Sequence, residues 1–265
     1  MSSTQTTVPV GELLQPALDD IERRSEGNTE AVSFLTGFLD LDALTGGLHP
    51  GELWVITGES GSGKSVLALD IARNLAVTLG HSVDLCLTRE SPTEAIKRLL
   101  AAECRVGLLG MRTGALTGAD RVRIAGRRAE VAQCKLRIGE VRADLALMSQ
   151  PSPGADALVV DAVASSGLLQ PMGFEVLRHN VLDRGTAVLI VMTEPRQRRR
   201  CDVEERLFQA ADVVLEIYRE AQDDPQSPRA GEADLIVRRN RFGPTATVTV
   251  SFQGHYSRFV DMRVT

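Results

Sequence analysis

The four cysteines of this 265-residue chain, Cys86, Cys104, Cys134 and Cys201, include no C-x-x-C pair. Without that spacing the sequence makes no case for a zinc site or a disulfide framework, and the thiols read as reduced, structural residues. No apolar run approaches the ~20 residues of a membrane span, and Met1 to Val10 is polar rather than a signal peptide. The expectation is a cytoplasmic protein with no membrane partner. Excess positive charge is missing too. The formal net charge is -5, so nothing draws the whole chain to nucleic acid, and any such contact needs a local patch. Internal repeats and long low-complexity stretches are also absent, which favours one domain over an array. With 43% hydrophobic residues the chain still has enough apolar material for a sizeable core.

What is present is a phosphate-binding signature in the right surroundings. Gly58-Glu59-Ser60-Gly61-Ser62-Gly63-Lys64-Ser65 satisfies G-x-x-x-x-G-K-[ST]. Before it, Leu53 to Thr57 is an apolar strand; after it, Val66, Leu67, Leu69, Ile71 and Leu75 suit a buried helix that Gly80 ends. The glycines let the backbone turn its N–H groups toward phosphates, and the helix N-terminus adds its positive dipole end. Lys64 then reaches the β- and γ-phosphates of a nucleoside triphosphate, and the Ser65 hydroxyl serves Mg²⁺.

Along the chain, Leu13, Leu14, Ala17, Leu18 and Ile21 fall on one face of an amphipathic helix over Glu12 to Ser25. Pro16 is compatible only with its first turn. A polar stretch follows, so the apolar stripe docks either on another body or back on its own domain. Strands are expected at Leu53 to Thr57, Val83 to Thr88, Lys135 to Ile138, Ala157 to Val160, Ala187 to Met192 and Val213 to Tyr218, with helices between most of them. That alternation predicts an α/β fold with a mostly parallel sheet. Two later runs, Ala233 to Arg238 and Thr245 to Phe252, predict antiparallel strands. Ser91-Pro92-Thr93-Glu94 reads as a capping box, and Asp202 with Glu205 as another. Residues 1–30 form a tail and linker helix, and 31–265 one ATPase-sized domain.

A P-loop enzyme needs a second acid for Mg²⁺ and a group that orients the attacking water. Asp161 closes an apolar strand, at the carboxyl end where α/β ligands bind; its plain alternative is capping the next turn. Glu90 closes the second strand and is placed to polarise water, or is an exposed loop glutamate. Arg196, Arg198, Arg199 and Arg200 crowd into five residues, dense enough for a phosphate backbone or simply a solvated loop.

Several segments together resemble one family. Thr36 to Leu48, reading T-G-F-L-D-L-D-A-L-T-G-G-L, is similar to the lead-in to the P-loop in the C-terminal ATPase domain of replicative DnaB-type hexameric DNA helicases. Leu99-Leu100-Ala101-Ala102-Glu103, then Leu109 and Met111 to Thr117, resemble its R-L-L-A-S-E and L-R-T-G-x-L-T elements. Arg239-Asn240-Arg241-Phe242-Gly243-Pro244-Thr245 resembles its K-Q-R-N-G-P-T, and Phe252 to Phe259 its closing strand pair. The resemblance runs through nearly the whole chain. It implies a RecA-like core and an ATP- and Mg²⁺-dependent DNA helicase of the 5'-3' type, acting in DNA replication. Lys64, Ser65 and Asp161 then match the nucleotide and metal residues, and Glu90 the catalytic glutamate. Arg241 matches an arginine finger that completes a neighbouring subunit's site, with Arg239 where a lysine usually accompanies it. Without the resemblance these arginines would read as a solvated face. The helix over Glu12 to Ser25 matches a linker that docks on the adjacent subunit of a hexameric ring. Arg196 to Arg200, and less directly Ser165 to Gly173, fall where loops face single-stranded DNA.

Four departures accompany the likeness. Glu194 stands where the family usually has a glutamine that senses the γ-phosphate, exchanging a donor for an acceptor-only carboxylate. Ala162-Val163 replaces Tyr-Leu after Asp161, and both channel loops look short. Only the linker-like helix precedes the ATPase part, which puts primase coupling in doubt. Two other functions share the P-loop: a RecA- or RadA-like recombination or repair ATPase, and a non-motor ATP-binding scaffold or regulator of a plasmid, phage or integrated element.

Overall fold

The computed structural model describes residues 8–25, 34–140, 151–163, 185–192, 202–224 and 226–262. In chain order its elements are α1 (Val10–Ser25), α2 (Leu39–Thr45), β1 (Leu53–Gly58), α3 (Lys64–Arg73), β2 (Val83–Leu87), α4 (Pro92–Cys104), α5 (Leu108–Thr113), α6 (Gly118–Gln133), β3 (Leu136–Glu140), β4 (Ala157–Val163), β5 (Ala187–Met192), α7 (Asp202–Ala210), β6 (Val213–Tyr218), α8 (Glu220–Asp223), β7 (Glu232–Asn240), β8 (Thr247–Gln253) and β9 (Arg258–Asp261).

Leu53 to Gly58 and Ala187 to Met192 are buried along their whole length. A strand without a polar face must sit mid-sheet and be covered on both sides. The sheet order is β3-β2-β4-β5-β1-β6-β7-β8-β9, which puts β1 and β5 side by side in the middle. From β3 to β6 the pairings are parallel, and from β6 to β9 antiparallel. The expected mostly parallel sheet with antiparallel C-terminal strands is therefore the observed one. Side chains alternate across it. Trp54 and Ile56 join Leu67, Ile71 and Leu75 in one core, while Leu53 and Val55 join Leu158, Ile190 and Leu207 in the other.

Local chemistry explains most boundaries and corrects a few expectations. Gly46 closes α2 with φ +79, where a side chain would be strained. Ser91 caps α4 by accepting from the Glu94 N–H at 3.3 Å, with Pro92 at the first helical position. Only half of the expected box forms there, because the Glu94 carboxylate turns to Lys97 and Arg112. A full capping box forms instead at Thr117 and Asp120, at the start of α6. Helix α1 begins at Val10, two residues earlier than its apolar pattern indicates, so Pro16 lies inside it rather than in its first turn. The lost backbone bond is tolerable because the surrounding helix surface is open to solvent. The stripe Leu13, Leu14, Leu18 and Ile21 is exposed and does not pack back on the described residues of its own domain. The side chain of Asp202 lies outside those described, and the Glu205 carboxylate of the expected second cap accepts from Gln209 at 3.2 Å. No helix among the described residues is long and apolar enough to cross a membrane.

Candidate nucleotide site

Strand β1 delivers the glycine loop to the carboxyl edge of the parallel strands, and α3 starts at Lys64 directly after it. Two of the loop glycines are required by contact as well as by conformation. Gly58 has φ +142, and a Cβ there would lie 2.6 Å from the Ile217 carbonyl oxygen. Gly63 has φ +107, and a Cβ would lie 2.7 Å from Cζ of Phe259. A side chain at either position would push the loop off its supports. The Ser62 N–H closes the turn on the Glu59 carbonyl at 3.2 Å. Ser60, Gly61, Gly63, Lys64 and Ser65 line a cleft of about 590 Å³ that opens beside the end of β4.

Three sequence-predicted residues meet in that cleft. Ser65 Oγ donates to Asp161 Oδ1 at 2.8 Å. Asp161 is 7% exposed, and burial raises its carboxyl above the usual range, opposed by the Ser65 bond and the Lys64 and Arg98 charges. Lys64 is 6% exposed and its ammonium donates to the Glu59 carbonyl. Burial lowers its pKa to about 8, with Asp161 and Glu59 acting against the shift and Arg89 with it. Lys64 and Asp161 offset one another only in part, because burial outweighs their attraction and leaves both charges under-compensated at this site. It suits an anion carried in together with a cation.

Glu90 also lines the cleft, close enough to Asp161 to raise its carboxyl. It is not idle. Arg98 of α4 donates to Glu90 Oε1 at 2.6 Å and, through another nitrogen, to Ser257 Oγ at 3.3 Å. Arg98 was invisible as a site residue in the sequence, although its place on α4, eight residues after Glu90, put it on the cleft side. Phe252 and Phe259, which the sequence showed only as part of a strand pair, pack together at 4.8 Å between ring centroids; Phe252 lines the cleft and Phe259 supports Gly63. Arg219 and Gln222 also gave no sequence signal. The Arg219 guanidinium lies 3.8 Å from the Phe252 ring centroid, and Gln222 donates to the Ser60 carbonyl at 2.6 Å.

Arg241 is elsewhere. Strand β7 runs back along β6, so Asn240 pairs with Val213, whereas Gly58 of the P-loop pairs with Ile217. Four residues of strand, roughly 13 Å, separate those registers before any sideways offset is counted. The Arg241 guanidinium, 56% exposed, is held by Asp212 Oδ1 at 3.0 Å, and Asp212 also accepts from the Leu53 N–H at the amino end of β1. Arg239 is exposed at the same edge, donating to the Phe208 carbonyl at 3.4 Å. Glu194, Arg196, Arg198, Arg199, Arg200 and residues 165–173 lie outside the described residues.

The comparisons agree with this arrangement. The profile of the DnaB-like helicase C-terminal domain matches residues 33–150 and 196–261. A replicative DNA helicase DnaB of Leifsonia xyli is 33% identical, over 96% of this chain and 62% of its own length. The DnaB of Geobacillus stearothermophilus is 25% identical over the same shares. This chain thus spans 62% of the length of these relatives. A solved DnaB-like replicative helicase, described with its interactions with primase, superposes with a TM-score of 0.81 at 20% identity, covering 99% of this chain and 69% of that one. A RadB recombinase shares the fold more distantly, with a TM-score of 0.57 at 17% identity over 87% of this chain and all of that one. With a RecA-like sheet, a formed P-loop and a family match across most of its length, the chain belongs to the DnaB-like helicase C-terminal domain family.

Proposed function

We propose that this chain is the ATPase part of a ring-forming DNA helicase, hydrolysing ATP with Mg²⁺ and coupling hydrolysis to single-stranded DNA. One observation supports the reading: the P-loop cleft and Arg241, which we take as two halves of a hydrolytic site, stand at opposite edges of the same sheet. The P-loop, Lys64, Ser65 and Asp161 form one half, and Arg241 the other. A single chain cannot bring them together, whereas neighbouring copies in a ring can.

In this reading the loop amides and the α3 N-terminus bind the phosphates, and Lys64 exchanges the Glu59 carbonyl for a phosphate oxygen. Ser65 and Asp161 fit Mg²⁺, because a hydroxyl and a buried, charge-starved carboxylate are hard oxygen donors. Once bound, that ion neutralises charge on the phosphates. Glu90 orients water from the neighbouring strand end, in contact with Arg98. Arg241, released from Asp212, reaches the phosphates held by the next copy. The exposed stripe of α1 supplies an adhesive face for that copy. Arg196, Arg198, Arg199 and Arg200 follow β5, whose carboxyl end borders the crevice, and give a cationic contact for single-stranded DNA. Glu194 sits on the same segment, and its carboxylate weakens the response to the γ-phosphate. Primase coupling forms no part of the proposal.

The Glu90–Arg98 ion pair favours a second reading, a non-motor ATP-binding assembly, since the guanidinium occupies a carboxylate oxygen that would otherwise hold water. ATP hydrolysis measured with and without single-stranded DNA separates the two. A rise on adding DNA is expected, and hydrolysis indifferent to DNA selects the assembly.

A further inference from the structure

The α8 turn, which sequence patterning did not connect with the site, lies against the outside of the P-loop. Gln222 Nε2 donates to the Ser60 carbonyl at 2.6 Å, and the same amide nitrogen lies 3.5 Å from where a Cβ on Gly61 would stand. A carbonyl only accepts, so the Gln222 amide must present its NH₂. Beside it, Arg219 reaches the Gly61 carbonyl at 3.4 Å while its guanidinium stacks on Phe252. The Arg219 Nε is buried with no hydrogen-bond partner among the described residues, so stacking and the loop contact are what hold this side chain. The first residue of α8, Glu220, is fixed by the Ser227 hydroxyl, which donates to it at 2.9 Å.

A trans peptide points its C=O and N–H in opposite directions. Holding the Ser60 carbonyl outward therefore turns the Gly61 N–H inward, toward the cleft that Gly61 lines. Glycine at this position, with φ +85, has no side chain to fix that plane by itself. We propose that Gln222 is a positioning residue for phosphate binding, fixing the Ser60–Gly61 peptide from outside the loop so that its amide is aimed at the phosphates before they arrive. Arg219 and Phe252 are the stack that keeps α8 in place. Preorganised donors bind charge without first reorienting, which is where the gain in affinity arises. This role rests on the nucleotide site proposed above.

Gln222 is exposed, so its substitution leaves the core alone. The test is equilibrium binding of Mg²⁺–ATPγS and of Mg²⁺–tripolyphosphate, which has no base, to the full chain and to its Gln222→Glu and Gln222→Lys variants. Gln222→Glu replaces the donor by a carboxylate facing a carbonyl, and weakens both ligands by the same factor, roughly three- to tenfold, with thermal stability unchanged. Gln222→Lys keeps a donor and stays within about twofold of the parent. Weakened ATPγS with unaltered tripolyphosphate would mean a contact to the base and overturns the inference. So does unaltered binding of both. If the parent chain binds neither ligand, the nucleotide site itself is wrong, an outcome distinct from a failure of Gln222 alone.

Discussion

The two edges of the sheet differ in kind. At the carboxyl edge Lys64 and Asp161 are almost fully buried, Gly63 is wedged against Phe259, and the Ser65 hydroxyl is already bonded. At the amino edge Arg241 is half out in solvent, beside an exposed Phe242, and held by a single carboxylate. Only the Arg241 side of this pair is exposed; Asp212 is buried and also accepts from the Leu53 N–H, so it keeps a partner when Arg241 leaves. The buried edge is built to hold a ligand with little rearrangement. The exposed edge is built to be taken up by another surface. In the proposed function, phosphate binding belongs to one chain, while completion of the site is left to assembly.

Ways to break that division can be ranked by expected effect. Arg241→Ala lowers turnover roughly 10³-fold or more while nucleotide binding persists. Mixing it with Lys64→Ala subunits restores part of the hydrolysis at mixed interfaces. With rings confirmed by imaging, absence of any recovery would place Arg241 outside the neighbour's site. Asp161→Asn weakens Mg²⁺-dependent nucleotide binding by roughly 10- to 100-fold, by analogy with lost ligand support at metal sites. Titrations in magnesium and in chelator check it, and an unchanged difference between the two conditions refutes the metal role.

Gly63→Ala strains a left-handed backbone and drives a methyl into Phe259. It destabilises the fold by about 1–3 kcal/mol, read from chemical denaturation. Gly114→Ala is the comparison, since its Cβ meets nothing within 4 Å at a similarly positive φ of +77. The smallest effect is on pH. Lys64 is charged below its folded pKa of about 8 and neutral above it, and only the charged form attracts phosphate. The pH profile of kcat/KM therefore falls above about pH 8, approaching tenfold per unit. A profile flat to pH 10 would show that Lys64 keeps its proton in the free chain.

Much of the buried edge was legible beforehand. The strands at Ala187 to Met192 and Val213 to Tyr218 were marked to the residue, because a continuous apolar run bounded by turns has little other use in an α/β chain. The meeting of the P-loop and Asp161 in one cleft was legible because the motif restricts residue type and spacing and the end of an apolar strand fixes where the acid stands. Arg98, Arg219 and Gln222 were not, since an arginine or glutamine in a polar stretch is consistent with any solvated surface. The sequence points to a capping box at Ser91, where Pro92 and Glu94 follow the rule, yet its full form appears at Thr117, where Asp120 keeps Oδ2 on the Thr117 N–H and hydroxyl while Arg123 takes only Oδ1. The place of Pro16 inside α1 departs from its apolar pattern for a related reason. Pattern alone locates an apolar face, not the first hydrogen bond of a helix.

By itself the sequence determined the fold class, the phosphate loop and the acid that meets it, because these follow from apolar periodicity and from short motifs with fixed chemistry. Only the tertiary structure decided which groups face one another: Arg98 on Glu90, Gln222 on Ser60, Phe259 under Gly63. It alone put Arg241 at the edge opposite its own P-loop, since direction along a strand becomes position only when β7 is paired antiparallel to β6. Contacts between residues far apart in sequence depend on register and strand order, which no local pattern encodes.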